Sequence, residues 1–278
     1  MEKSGFIQHV AFGENIEVPL DYRRNPDTAV LVADQDTASL VKTEILTSAV
    51  YDIAQLNVPV SWSKGDEVKN PTETQKVALV KQLLENGINS HDDEIEIRIF
   101  TSSSAGGIEI NGLNDLINTA TTGTVGGIDS SVETWWGNKA EQYVDGSDIE
   151  AAATELFNAC AKGSGSSNQP TMIVSGADTQ ALFMSQMQSM QRFVDAEEAN
   201  VGFKVLSFMG AKWIYSHKGG ANAYFLNPKN YNIVVSKHAF RDKGDQETIQ
   251  GQNAFYFMIY SALQCVVSNR SRLGVLYT

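Results

Sequence analysis

Residues 121–140 read TTGTVGGIDSSVETWWGNKA. The stretch offers no obvious catalytic chemistry and no obvious core element. Trp135 and Trp136 are adjacent, so on a strand they point to opposite faces and on a helix they diverge. Both are large and mostly apolar. At least one is therefore expected to meet another loop, another domain or another subunit. Ahead of them, Gly123, Gly126 and Gly127 alternate with Thr121, Thr122 and Thr124, which is turn and loop chemistry. The segment reads as a glycine-rich contact loop leading into a tryptophan pair.

The rest of the composition excludes more than it assigns. The chain has 278 residues, enough to bury a sizeable core without metal or disulfide help. Its 21 basic and 33 acidic residues give a net charge of −12. Tight nucleic-acid binding needs clustered Lys and Arg, and the nearest approach is the pair Arg23-Arg24. Charged residues are only 19% of the chain, below the quarter typical of soluble domains. Ser, Thr, Asn and Gln take their place, at 75 of 278. Such a surface suits subunit contact, since charge is depleted from interface cores, and it equally suits an ordinary polar exterior. Cys160 and Cys265 lie far apart without metal spacing and read as free thiols in a reducing compartment. The first residues lack a signal-peptide apolar run, and 254–268 is too short to span a bilayer. A soluble, cytoplasmically made chain without membrane contact is expected.

The patterning is mixed α and β. Residues 29–33 (AVLVA) and 58–63 read as strands, with Pro59 placing the second at a sheet edge. Asn70 as N-cap, Pro71 at the first helical position and Glu73 in a capping box predict a helix from 71 to about 90. Val77, Val80, Leu84 and Ile88 form its expected apolar face. The alternation of 94–100 (EIEIRIF) predicts a half-exposed strand. Further on, a helix is expected over 148–162 with Ile149, Leu156 and Cys160 inward. A short buried strand at 171–175, a helix over 178–194, strands at 223–227 and 231–235, and one long strand or two at 255–267 follow. Helix, strand, helix in this order points to an α/β layer.

No active site assembles from the usual elements. Gly163-Ser164-Gly165 precedes a strand instead of following one and lacks the Gly-Lys-Ser/Thr of a phosphate loop. His9, His91, His217 and His238 are scattered without metal-site spacing and read as surface or satisfied buried histidines. Asp92, Asp93, Glu94 and Glu96 read as a solvated acidic face before they read as a cation site. Met184, Met187 and Met190 read as core packing. No catalytic, cofactor-binding or metal-binding residue is expected.

Several segments, in order, resemble the major capsid proteins of tailed bacteriophages, the family with the Hong Kong 97-type fold. Residues 43–60 (TEILTSAVYDIAQLNVPV) and 66–70 resemble the lead-in to that family's long spine helix. Residues 112–117 (GLNDLI) resemble the entry to its axial domain. TVGGIDSSVETWW at 124–136 resembles the loop in which many members carry V-G-G-I-D-R-S and a Trp pair, with Ser130 here in place of the Arg. QPTMIVS at 169–175 resembles the strand before an axial-domain helix. AYFLN at 223–227 and LGVL at 273–276 resemble closing strands of the peripheral domain.

The resemblance implies an α+β capsid fold. It would have an N-terminal arm at 1–18, an extended loop at 19–57 and a peripheral domain with the spine helix at 58–111. An axial α/β domain at 112–225 and a return to the peripheral domain at 226–278 would complete it. It implies a virion shell protein, made in the host cytoplasm, that forms hexamers and pentamers, contacts neighbouring capsomers, scaffolding and portal proteins, and encloses double-stranded DNA without binding it specifically. Some relatives carry a Lys–Asn cross-link, and Lys42 is the lysine of the loop region. Two other readings stay open: an encapsulin-like compartment shell enclosing enzymes, and a small α/β enzyme. The candidate subunit contacts are Arg23, Arg24, Trp135 and Trp136. Arg23 and Arg24 at the loop tip are expected to meet acidic residues of a neighbour. Reversing both charges should weaken assembly; normal shells from the double variant in a sedimentation assay would count against that role.

Overall fold

The computed structural model describes residues 5–11, 13–22, 44–101, 108–161, 168–190, 206–249 and 251–278, with the side chains of 187–190 excepted. The first strands are β1 (Ile7–Val10), β2 (Asn15–Asp21), β3 (Leu46–Asp52) and β4 (Ala54–Ser63). Helices α1 (Lys64–Lys69) and α2 (Glu73–Phe100) follow, then the single turn α3 (Leu113–Leu116). A small hairpin pairs β5 (Thr124–Val125) with β6 (Ile128–Asp129). Next come β7 (Lys139–Gln142), α4 (Ile149–Cys160), β8 (Met172–Ser175) and α5 (Ala177–Met190). They are followed by β9 (Leu206–Phe208), β10 (Ala211–Tyr215) and β11 (Ala223–Leu226). The chain closes with β12 (Tyr231–Ser236), β13 (Asp242–Lys243), β14 (Glu247–Thr248), β15 (Ala254–Val267) and β16 (Gly274–Tyr277).

β15 organises the first sheet. Its aromatic and β-branched run, legible in sequence as one strand or two, forms one strand of 14 residues. β4 pairs along it from Ala254↔Ser63 to Leu263↔Ala54. β12, β13 and β14 divide its other edge, and β1 adds to β12 in parallel. Among the described residues β4 pairs only with β15, so Pro59 sits on an edge strand as expected.

The second sheet has the order β7-β16-β11-β8-β10-β9. Its central strands β8 and β11 are buried on both faces, so they read as continuous apolar runs. Ile173, Phe225 and Leu276 face α4 and α5, together with Ile149, Leu156, Phe157 and Cys160. Phe183 of α5 stacks on Trp213 at 4.2 Å. Met172, Val174, Tyr224, Leu226 and Val275 face the other way, into a core shared with β12, β15 and the end of α2. Residues 223–226 and 274–277, expected as closing strands of the peripheral domain, thus pair inside the sheet that carries α4 and α5. The expected 112–225 and 226–278 segments do not coincide with the sheets, because β16 returns to the second one.

The long helix departs from its prediction at both ends. Asn70 closes α1, donating its N–H and side-chain amide to the Asp66 carbonyl at 3.2 and 2.9 Å. Thr72 is the N-cap of α2, and its N–H reaches Gln75 Oε1 at 3.4 Å. Residues 94–100 are the last turns of α2 and not a strand. In this helix Ile95 and Ile99 lie one turn apart on the core side, and Glu94 pairs with Arg98 at 2.7 Å across the same spacing. A seven-residue alternation satisfies both periods; continuity with the preceding helix selects the helical one. The helix is about 42 Å long. Val80, Leu84 and Ile88 pack on Val60, Trp62, Phe257 and Ile259, but Val77 is 68% exposed and not part of that face. Gly87 lets the helix approach this closely, since a Cβ there would lie 2.6 Å from Val60 Cγ2.

α4, β8, β11 and β12 fall where the sequence places them, and α5 is described to Met190. The expected strand at 29–33, the glycine-serine turn at 163–165, Lys42 and the 191–194 helix end lie outside the described residues.

The two free cysteines sit in separate cores, Cys160 under the second sheet and Cys265 in β15. Burial pushes both thiols from 9.0 up to about 12. The folded state then keeps protons that the unfolded chain releases, so each thiol's contribution is present below pH 9 and is lost between 9 and 12. Stability should fall above pH 9 by about 1.4 kcal/mol per pH unit per thiol. Thermal unfolding from pH 8 to 10, below the range where the buried tyrosines contribute, should show this slope, and Cys160→Ala with Cys265→Ala should flatten it there.

Candidate functional site

The glycine-rich loop is tighter than a contact loop. Gly126 and Gly127 have φ of 60° and 79° and connect β5 to β6, with Val125 paired to Ile128. Two consecutive positive φ values are those of a type I′ hairpin, which glycine adopts without Cβ strain. The sequence carries this signal, Gly-Gly between apolar residues, and the hairpin is what a loop reading misses.

The hairpin seats a two-stranded ribbon. β2 and β3 pair from Asn15↔Asp52 to Asp21↔Leu46, so the chain between them leaves from one end of the ribbon. Val50 N–H donates to the Gly126 carbonyl at 3.1 Å. A Cβ on Gly126 would come within 2.7 Å of Ala49 Cβ and 3.0 Å of the Tyr51 ring. Ile16, Leu20, Ala49 and Tyr51 bury the ribbon's inner face in the shared core. The Tyr51 hydroxyl donates to the Val267 carbonyl at 2.9 Å, and burial pushes it up to about 12.

The tryptophans take different roles. Trp136 is 0% exposed and donates Nε1–H to the Val125 carbonyl at 3.0 Å. It lies inside its own chain, so it is not a subunit contact; the 3₁₀ turn at Thr134–Trp136 rotates it inward. Trp135 is half-buried, 5.1 Å from the Tyr22 ring at the ribbon's outer end and 5.5 Å from Trp136. It therefore meets an element beyond its own loop, as expected of one of the pair. Arg23 and Arg24, one and two residues beyond Tyr22, lie outside the described residues.

Sequence reasoning passes over Arg270. Its side chain is 0% exposed, in the 3₁₀ turn between β15 and β16. Nε donates to the Leu116 carbonyl at 2.8 Å, Nη2 to Asn138 Oδ1 at 3.0 Å and Nη1 to Ser130 Oγ at 3.4 Å. Asn138 Nδ2 in turn donates to the Asn118 carbonyl at 2.7 Å, and the Ser130 hydroxyl to the Gly123 carbonyl at 3.0 Å. Burial lowers the guanidinium to about 10, so it remains charged at neutral pH with neutral acceptors around it. Ser130 stands where the family pattern has Arg, and the fold brings Arg270 to it from 140 residues away. No local signal separates Arg270 from Arg272; only the tertiary contacts do.

The acidic cluster lies on α2, where Asp92 and Glu94 meet cations, Glu96 meets a hydroxyl and Asp93 is exposed. Arg241 reaches both Asp92 oxygens at 2.6 Å, which with the His91 contact holds that carboxyl below its usual range although burial opposes the shift. Arg98 joins Glu94 to Glu109, and the Ser216 hydroxyl donates to Glu96. His91 is buried between Ser261 Oγ at 2.8 Å and Asp92 at 3.2 Å. That Ser-His-Asp order has the partners of a nucleophilic triad, but Ser261 is fully buried and its Oγ also accepts the Arg241 N–H at 2.8 Å. His9, His217 and His238 are exposed. No group of metal-ligating side chains forms among the described residues, and no helix among them is long and apolar enough to cross a membrane.

Replacing Arg270 by Met should leave three buried acceptors without donors and cost about 3 kcal/mol. Arg270→Lys should not restore it, because one ammonium cannot span the fork. Denaturant unfolding followed by tryptophan emission measures both; a loss below about 1 kcal/mol for Arg270→Met would refute the arrangement.

No protein-family model matches the sequence, and no curated protein matches it. Solved structures match its fold over nearly the full length. With the cyanophage A-1(L) capsid the TM-score is 0.69 at 12% identity, covering 99% of this chain and 90% of that one. With the capsid of a native GTA particle it is 0.65 at 13% identity, covering 99% and 88%. With the SrpI encapsulin of Synechococcus elongatus it is 0.60 at 11% identity, covering 98% and 84%. At such identities the likeness is one of fold: the chain has the Hong Kong 97-type α+β capsid fold.

Proposed function

We propose that this chain is a major capsid protein, with copies forming hexamers and pentamers that close an icosahedral shell around a double-stranded DNA genome. The observation that carries the reading is the likeness of fold to phage capsids over 99% of this chain. The chemistry of the chain supports it. A net charge of −12 makes a wall that does not cling to DNA. Leu46 at the ribbon, Val132 beside the tryptophans, and Val68 and Val77 near the start of the long helix are exposed apolar side chains at separate edges. Edges of that kind suit many modest contacts with neighbours, whose stabilities combine in a closed shell. Trp135 and the Arg23-Arg24 pair remain the candidate contacts.

In this reading the role is structural and not enzymatic. The partners are copies of itself, adjoining capsomers, and scaffolding and portal proteins; the location is the virion after synthesis in the host cytoplasm. The likeness to SrpI gives a second reading, a compartment that encloses protein.

Sedimentation of the purified chain, with electron microscopy of the fastest fraction, tests the proposal. Closed shells, or rings of five and six subunits, are the expected result. Nuclease-protected DNA in particles made in the native host would select the capsid, and protein contents without DNA the compartment. A homogeneous monomer or dimer that persists when a scaffolding protein is supplied would overturn both.

A further inference from the structure

A cleft of about 610 Å³ opens on the seam between the two sheets. Ile95 and Ile99 of α2 line one wall, Met172 and Val174 of β8 a second, and Ile233 and Leu263 of the first sheet a third. Ile214 and Tyr215 stand at its lip, 44% and 57% exposed. The volume is that of a small-molecule pocket and is too little for a helix.

Three charged residues line the cleft: Asp92, Glu96 and Arg241. Asp92 and Arg241 neutralise each other in a two-oxygen contact. Glu96 accepts only the Ser216 hydroxyl, and no cation pairs with it among the described residues. Ser216 is itself 9% exposed, and its Oγ also accepts the Lys218 N–H at 3.1 Å, which leaves its hydroxyl proton directed at Glu96. The result, among the described residues, is one oriented carboxylate without a counter-charge in a mostly apolar cleft. A carboxylate in that setting lacks both full hydration and a counter-charge, and a cation brought to it by an apolar body supplies what is missing.

We propose that this cleft binds a small amphipathic amine, its apolar body between α2 and the two sheets and its ammonium on Glu96. The charge balance selects against a carboxylate of the same shape. A bound molecule touches both sheets at once, so it stabilises their packed arrangement by mass action. The inference does not rest on the shell reading and holds for the unassembled chain.

Calorimetric titration of the full chain with octylammonium, octanol and octanoate tests it. Octylammonium should bind at one site per chain about fivefold more tightly than octanol, the value of one partly exposed charge pair, with octanoate weaker still. Glu96→Gln keeps an acceptor for Ser216 and should bring the three ligands within about twofold of each other. Ile214→Trp, which narrows the mouth, should weaken all three. The absence of saturable octylammonium binding, equal affinity for octanoate, or discrimination that survives Glu96→Gln would each overturn the proposal.

Discussion

The structure is built around a buried positive charge. Arg270 sits in the turn between β15, the long strand of the first sheet, and β16, a strand of the second. Removing a guanidinium from water is costly, and only well-placed acceptors offset the cost. Here the acceptors are the Leu116 carbonyl at the end of α3, Ser130 of the hairpin loop and Asn138 at the entry to β7. Three segments distant in sequence are therefore held to one rigid, planar group at the point where the chain passes from sheet to sheet. The three acceptors are neutral, so the geometry of the fork, and not an ion pair, sets their positions.

The ribbon and the hairpin extend the same logic outward. Gly126 brings its backbone to the edge of β3 because it has no Cβ, and Trp136 then closes the space behind it. Gln264 of β15 fastens the lower end: it donates to the Asp52 and Glu109 carbonyls and accepts the Asn111 and Cys265 N–H groups. With all four of its bonds made, a buried amide of this kind fixes position without leaving an unsatisfied group. The base of the ribbon is thus as well anchored as the core. In the proposed shell such a base would transmit a neighbour's grip to the body of the subunit.

Much of the fold is legible in short windows. The inward positions of α4, the buried run at β8 and the strand character of β15 all follow from periods of 3.6 and 2 and from β-branched content. The misreadings are equally specific. Residues 94–100 fit either period, and the helix running unbroken into them from Glu73 settles which one applies. Asn70 and Thr72 are both capable N-caps, and the first proves to be the C-cap of α1 and the second the N-cap of α2, with Pro71 between them. Val77 shares the spacing of Val80 and Leu84 but lies beyond the reach of β4 and β15.

The sequence by itself determined that the chain is α+β, that it is acidic and poor in catalytic spacing, and that a glycine-rich turn leads into a tryptophan pair. These are local properties, fixed by residue type and by neighbours a few positions away. Only the tertiary structure decided which tryptophan is buried, which arginine is desolvated, that β16 crosses back to the second sheet, and that Glu96 faces an apolar cleft. Glu96 meets Ser216 from 120 residues away, and Arg270 meets Ser130 from 140. Pairings of that range are selected by the joint burial of whole faces and by the need to satisfy every buried polar group, and neither is written in any single window.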